Sequence, residues 1–179
     1  MKAFLDIETG GFSITKNGVC EIAMIITDNS LNTLHEYHAL VKPYTQEHSA
    51  EYVIYKPEAM VVHGITIEQL QKDGQEVQKV TQEIVELLNN WKVQTMIGHN
   101  SISFDVPRLD YLLARFQNRT IKQLYHQDTM KMAKGRLTVN SYSLENLCAT
   151  FGITTEKAHS AMGDVRATIE LYKILSGIV

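Results

Sequence analysis

Three strand-like segments near the N-terminus, followed by an alternation of helical and strand patterns, constrain the fold of this chain more than any other feature. Residues 2–7 (KAFLDI) form a short, mostly apolar segment, and Val19–Thr27 (VCEIAMIIT) is a second, ended by the turn Asp28-Asn29-Ser30. Residues 33–41 (TLHEYHALV) are a third, and the link before them is short enough for a hairpin. The three predict an antiparallel meander. Residues 42–66 carry no periodic pattern and read as irregular, with Pro43 early and Pro57 across them. Residues 78–90 then place Val80, Ile84, Leu87 and Leu88 at helical spacing. Residues 93–97 predict a fourth strand, closed by Gly98. Val106, Leu109, Leu112, Leu113 and Phe116 make the stripe of a second helix, with Pro107 in its first turn, where a missing N–H does no harm. A fifth strand is predicted at 125–128, and helices at 143–151 and 161–178, the last with Val165, Thr168, Leu171, Tyr172 and Leu175 inward. Strands first and alternation after predict an α/β domain with a mixed sheet.

The length of 179 residues fits one domain, 1–179, able to bury a core without disulfides. Hydrophobic residues at 44% and charged residues at 21% exclude a disordered chain. The longest apolar run covers only residues 23–26, so no segment is expected to span a membrane, and an acid at position 6 comes too early for a signal peptide. Cys20 and Cys148 make neither a disulfide framework nor a metal motif, so a reduced, cytoplasmic protein is expected. The net charge of −3 argues against holding long nucleic acid by bulk electrostatics, while allowing a small basic patch or a metal-screened site.

Four acids carry the functional reading. Asp6 and Glu8 are two residues apart on the first strand and so share a face, just before a Gly-Gly turn. That edge is where α/β sheets place ligands. The pair reads either as a cation site, since like charges on a buried strand repel, or as solvated acids past the strand's end. Asp105 follows the polar loop after Gly98 and lies on the same stripe as Leu109, Leu112 and Phe116. It is either a ligand pointing to the sheet's end or an acid favoured by the helix dipole. Asp164 shares a stripe with Ala161, Thr168, Leu171 and Leu175. His159 stands five residues before it, about 140° away on an ideal helix, so the two converge only if His159 lies on the turn before the helix. Alone, His159 reads as an exposed loop histidine. Taken together, the four acids carry the charge of two divalent cations. Oxygen ligands suit Mg²⁺ or Mn²⁺, which about 3.5–4 Å apart would clamp the attacking and leaving oxygens of a phosphoryl displacement, and a nearby His would take a proton from water.

The motifs resemble those of the DEDD superfamily of 3′–5′ exonucleases, in the branch whose third motif carries His. That branch includes the proofreading subunit of the bacterial replicative DNA polymerase III (the epsilon subunit), RNase T and oligoribonuclease. Asp6-Ile7-Glu8-Thr9 is similar to the first motif, His99-Asn100 through Phe104-Asp105 to the second, and His159 through Asp164 to the third. His63-Gly64-Ile65-Thr66, Asp128-Thr129 and Tyr142 through Leu147 agree as well. The resemblance spans nearly the whole chain, in order.

It implies a ribonuclease H-like α/β fold, a five-stranded mixed β-sheet in order 3-2-1-4-5 flanked by helices. It also implies a metal-dependent 3′–5′ exonuclease: Asp6, Glu8, Asp105 and Asp164 holding two Mg²⁺ or Mn²⁺ ions, His159 as general base, and Thr9 and Gly10 backbone groups at the 3′-hydroxyl. Phe12, where the family often has Leu, would pack on the last base, and Asn100 belongs to the substrate-binding set. The expected partners are single-stranded or frayed 3′ ends of nucleic acid, DNA ahead of RNA, with no membrane. A polymerase partner and a homodimer both stay open. No long C-terminal tail like the one with which the proofreading subunit docks on its polymerase is expected, which favours a free-standing enzyme or one held through its folded surface. The competing readings are an oligoribonucleotide exonuclease, an inactive binding module on the same fold, and an integrase or ribonuclease H-type endonuclease. The binding module would be expected to have lost an acid or the His. The endonucleases lack the His five residues before the last acid. Tyr44, Tyr52 and Tyr55 in the 42–57 stretch read as loop packing or as base-stacking groups. Arg115, Arg119, Lys122, Lys131, Lys134 and Arg136 read as a phosphate track or a solvated face.

Overall fold

The computed structural model describes residues 1–155 and 160–177. Strands β1 (Lys2–Thr9), β2 (Val19–Thr27) and β3 (Thr33–Leu40) form the antiparallel meander, and β4 (Thr95–Gly98) and β5 (Tyr125–Asp128) extend it. The sheet order is β3-β2-β1-β4-β5, with β4 parallel to β1 and β5 parallel to β4, which is the ribonuclease H-like order 3-2-1-4-5. Around it lie α1 (Pro57–His63), α2 (Ile67–Asp73), α3 (Val77–Asn90), α4 (Asp105–Gln117), α5 (Thr129–Lys134), α6 (Leu144–Phe151) and α7 (Ala161–Ser176).

Alternation along β1 sets the two layers. Ala3, Leu5 and Ile7 join the core of α3 and α4, built on Val80, Ile84, Leu109 and Leu112. Phe4 points the other way, into Val165, Ile169 and Tyr172 of α7, its ring edge-on to Tyr172 at 5.5 Å. Every residue of β2 is buried, as a strand covered on both faces requires. Asp6 and Glu8 share the side of Phe4, so they emerge on the α7 layer at the C-terminal edge of β1. There Glu8 pairs with Glu21 of β2, and the ladder shifts register at Glu8–Thr9.

Three helices depart from the sequence expectation. The stretch 42–66, read as irregular, holds α1 and the turn into α2, and His63-Gly64-Ile65-Thr66 joins those two helices. Pro57 opens α1 at its first turn instead of breaking the chain. Val61 and Val62 stand exposed on α1, so it shows no apolar stripe. In α2 the Thr66–Gln69 capping box was the available signal. α5 spans six residues and is capped by the Asp128 side chain on the N–H groups of Met130 and Lys131. The fourth strand begins at Thr95, two residues later than expected. The last helix ends at Ser176, and Ile178 lies outside the described residues.

Candidate active site

Three carboxylates from two elements converge at the edge of the sheet. Asp6 and Glu8 come from β1 and Asp164 from the first turn of α7, whose N-terminus is capped by the Ser160 hydroxyl on the Gly163 N–H. One oxygen of each lies within 4.8 Å of the others, and all three residues keep part of their surface exposed. Among the described residues this is the one place where three such side chains meet so closely. Asp105 stands one step behind. It is 3% exposed, and its Oδ1 accepts the Ile7 N–H at 2.9 Å from the opposite layer.

The electrostatics are those of crowded anions. Burial, then the charges of Asp105, Glu8 and Asp164, hold the Asp6 carboxyl well above the usual range. Burial and the charges of Asp164, Glu21 and Asp105 push Glu8 up to about 8. Burial also raises Asp105, and the Ile7 N–H opposes it. Burial and mutual repulsion favour the protonated form of these acids, and a compensating cation would favour the ionised form. The all-oxygen donor set therefore fits hard divalent ions such as Mg²⁺ or Mn²⁺.

Glu21 faces Glu8 across the ladder yet behaves oppositely. Burial alone would raise it, but a 2.5 Å hydrogen bond from His38 Nε2, the Ala161 N–H at 3.0 Å and the nearby charges of His38 and His63 lower it overall. Glu21 thus ties the start of α7 to β2 and is already compensated. It was missed in the sequence, where the signal was a lone acid inside an apolar strand. Asp128 is buried and accepts the N–H groups of Asn100 and Ile102 as well as capping α5, so it shapes the loop that leads to Asp105.

Beside Glu8 lies a cavity of about 280 Å³ lined by Thr9, Gly11, Phe12, Phe104, His63 and further α1 side chains. Phe12 is 85% exposed and meets Phe104 edge-on at 6.2 Å. An 85% exposed aromatic on the rim of an apolar cavity presents a face on which a nucleobase can stack. A second cavity of about 240 Å³ lies between Asp6, Asp164, His99 and the start of α6. His99 is anchored there to Thr129 Oγ1 and the Tyr142 carbonyl, both at 2.9 Å.

Several expected site residues sit differently. Gly10 is buried. Its N–H bonds the Gly18 carbonyl at 2.8 Å, its carbonyl takes the Lys56 N–H at 2.9 Å, and a Cβ there would meet the Tyr55 ring at 2.7 Å. Its backbone groups are therefore spent inside the protein, and Gly11 reaches the cavity in its place. Asn100 is exposed on the loop after β4, in the left-handed region at φ 58. His159 lies outside the described residues. Tyr44 and Tyr55 pack the 42–57 stretch down, Tyr44 through its hydroxyl on the Val19 N–H, while Tyr52 is exposed. The six basic residues form no single track. Arg119 and Lys122 precede β5 at the far end of the sheet, and Arg115 is ten residues along α4 from Asp105, about 15 Å away. Lys131 and Lys134 belong to α5, on the near side.

A family model described as exonuclease, of the RNase T type, matches residues 3–172. Among curated proteins, the PolC-type DNA polymerase III of Thermotoga petrophila is 28% identical over 171 residues, covering 94% of this chain and 11% of that polymerase. Its Thermotoga maritima counterpart is 26% identical over 168 residues, again 94% of this chain and 11% of the other. Among solved structures, E. coli exonuclease I in complex with a dT13 oligonucleotide superposes with a TM-score of 0.82 at 23% identity, over 98% of this chain and 40% of that one. A zinc-bound form of the same enzyme with single-stranded DNA gives 0.81 at 22% identity, over 98% and 40% of the two chains. Exonuclease I from Methylocaldum szegediense gives 0.77 at 25% identity, over 97% and 40%. The chain thus spans about a tenth of the polymerases and two fifths of the exonucleases it matches.

Proposed function

The chain belongs to the RNase T-type exonuclease family, a DEDD-type 3′–5′ exonuclease family, and on that premise we propose that it hydrolyses phosphodiester bonds from the 3′ end of single-stranded or frayed DNA. In this reading residues 1–179 act as a single exonuclease domain, and Asp6, Glu8, Asp105 and Asp164 hold two Mg²⁺ or Mn²⁺ ions. The observation that carries it is the convergence of Asp6, Glu8 and Asp164 within 4.8 Å beside a cavity walled by Phe12 and Phe104. The oligonucleotide complexes of exonuclease I and the PolC-type relatives support DNA as the substrate and a polymerase setting for it.

The residues divide the work. Phe12 and the Thr9–Gly11 turn receive the terminal nucleotide, which places its phosphodiester over Glu8. Bound divalent cations would supply Lewis-acid stabilisation of the attacking and leaving oxygens. Asp105 orients from below through its bond to β1, and Glu21 keeps the start of α7, and with it Asp164, at the edge of the sheet. His159 takes the proton of the attacking water. The water oxygen forms the new bond to phosphorus, the bond from phosphorus to the 3′ oxygen of the preceding nucleotide breaks, the terminal nucleotide leaves as a 5′-monophosphate, and the departing 3′ oxygen takes a proton from solvent to become the new 3′-hydroxyl.

The test is digestion of matched labelled DNA and RNA oligomers, single- and double-stranded, with Mg²⁺ and with EDTA. Shortening of single-stranded DNA from its 3′ end with Mg²⁺, and none with EDTA, is expected. Metal-independent or internal cleavage would overturn the reading, and faster digestion of RNA would move the substrate to the oligoribonucleotide class.

A further inference from the structure

We infer that Arg108 is a positioning residue, which locks the Gly11–Phe12 turn to the start of α4 and so sets the aromatic wall against which the 3′-terminal nucleotide is held. This rests on the reading of the cavity beside Glu8 as the 3′-end site.

The guanidinium of Arg108 is buried, with the residue 4% exposed, and its hydrogen bonds go to backbone. One terminal nitrogen donates to the Phe104 carbonyl at 2.8 Å, the other to the Phe12 carbonyl at 2.6 Å and to the Gly11 carbonyl at 3.3 Å. Its carbon centre sits 3.6 Å from the centroid of the Phe104 ring. Phe104 in turn meets Phe12 edge-on. One planar side chain therefore joins two segments almost a hundred residues apart, and it stacks on one wall of the cavity while holding the backbone of the other.

A buried cation is expensive to desolvate, and an apolar side chain would fill a core position more cheaply. Here the burial is compensated by three carbonyls and by the charge of Asp105, one turn away on the same helix. The carbonyls of Gly11 and Phe12 belong to a turn that the sheet no longer holds, because the β1 ladder ends at Thr9. Gly11 sits at φ 146, in a region that favours glycine, and the Thr9 hydroxyl holds its carbonyl at 2.9 Å, while Asn17 Oδ1 accepts the Ser13 N–H at 2.9 Å; between these two ties the Phe12 carbonyl goes to Arg108. Loss of the Arg108 fork removes the bond on the Phe12 carbonyl itself and so loosens a ring that is already 85% exposed on the rim. The same helix presents Asp105 to β1, so terminal-nucleotide binding and the acid site move as one body. Lys cannot substitute fully, because a single ammonium cannot span three carbonyls and stack on a ring.

The inference separates binding from chemistry, and steady-state kinetics on a single-stranded DNA oligomer tests it. In Arg108→Met, KM is expected to rise about tenfold, in line with the loss of one base-stacking contact, while kcat stays within about threefold of the unmodified protein. Arg108→Lys should fall between the two. Phe12→Ala should raise KM in the unmodified protein and add little in the Arg108→Met background, because the wall is already displaced. A fall in kcat at unchanged KM, or a full additional Phe12→Ala effect in Arg108→Met, would overturn the inference. If Arg108→Met does not fold by circular dichroism, Arg108→Lys carries the same comparison. If neither folds, Arg108 is a staple of the core and the inference fails. Failure of the unmodified protein to shorten 3′ ends would instead overturn the functional reading itself.

Discussion

Asp105 Oδ1 accepts the N–H of Ile7 at 2.9 Å, so the acid that opens α4 is bonded to the β1 residue standing between Asp6 and Glu8. Two helical layers thus meet at one edge of the sheet. Asp164 approaches from the α7 side and Asp105 from the α4 side, with β1 between them. The bond also makes the role of Asp105 differ from that of the other acids, which separates the first two predictions.

Asp6→Asn and Asp164→Asn should each abolish cleavage while leaving the fold intact and the melting temperature in EDTA unchanged or raised. Each removes one anion from a crowded group, so the apo protein loses repulsion and the metal loses a ligand. Circular dichroism and a gel-based exonuclease assay check this, and robust activity in either variant would remove the acids from the mechanism.

At Asp105 the choice of replacement matters. Both Asn and Ala remove the charge, but only Asn keeps an acceptor for the Ile7 N–H. Asp105→Ala should therefore be less stable than Asp105→Asn by about 1–3 kcal/mol, the usual penalty for a buried donor left without a partner. Urea denaturation in EDTA measures the difference, and equal stabilities would mean the hydrogen bond contributes nothing.

Metal-free stability should fall as pH rises from about 5 to about 8. The sign follows from the raised carboxyls. Glu8, with its folded pKa near 8, keeps its proton in the native state at a pH where the unfolded chain, with the ordinary value of 4.5, has lost it. The native state is therefore favoured at low pH, and that advantage is lost as pH climbs through 8. Mn²⁺ or Mg²⁺ should reverse the trend, raising the melting temperature most at high pH, where binding displaces no proton. Thermal melts across this range check both halves, and Glu8→Gln should flatten the metal-free slope.

Replacing His159 with Ala should reduce turnover by roughly 10²–10⁴-fold while leaving metal-induced stabilisation in place, as befits a base rather than a ligand. The pH–rate profile should lose a limb between about pH 5 and 8. Loss of the stabilisation in this variant would show that His159 ligates instead.

Substrate contact should be short. The net charge is −3 and the basic side chains are split between the two ends of the sheet, so roughly two to four phosphates would be engaged, giving a shallow salt slope of about −0.7 per contact on a single strand. A 3′-phosphate should block digestion, because it would crowd the turn at Thr9–Gly11. Excess unlabelled trap should stop a running reaction within a few cuts. Complete degradation of a long strand in the presence of trap would reveal an extended surface, with Lys131 and Lys134 on the near side as its first candidates.

The local periodicities were enough to read the meander, the long helices and the positions of the four acids, because each depends on spacing along one element. Asp6 and Glu8 share a face by the two-residue repeat of a strand, and Asp164 follows from the stripe of α7. The short helices α1, α2 and α5 were not legible, since a helix of six or seven residues shows no full apolar stripe and is held by caps and neighbours instead. The order 3-2-1-4-5 came from family resemblance rather than from any residue pattern.

What only the tertiary structure decided is which polar groups are already spent and which are left for a ligand. Gly10 looked like part of a substrate-sensing turn, yet its amide and carbonyl are taken by Gly18 and Lys56. No motif marks Arg108, and Glu21 is a lone acid in an apolar strand, yet one joins the Phe12 turn to the start of α4 through three carbonyls and the other ties α7 to β2. The reason is physical. Hydrophobic pattern is a property of neighbours in the chain, whereas the satisfaction of a buried donor or acceptor depends on groups brought from far along it. Ile7 and Asp105 are 98 residues apart, and Glu21 and Ala161 are 140 apart. Spacing in the sequence places the acids at the ends of their elements, and only the folded chain brings those ends to one edge.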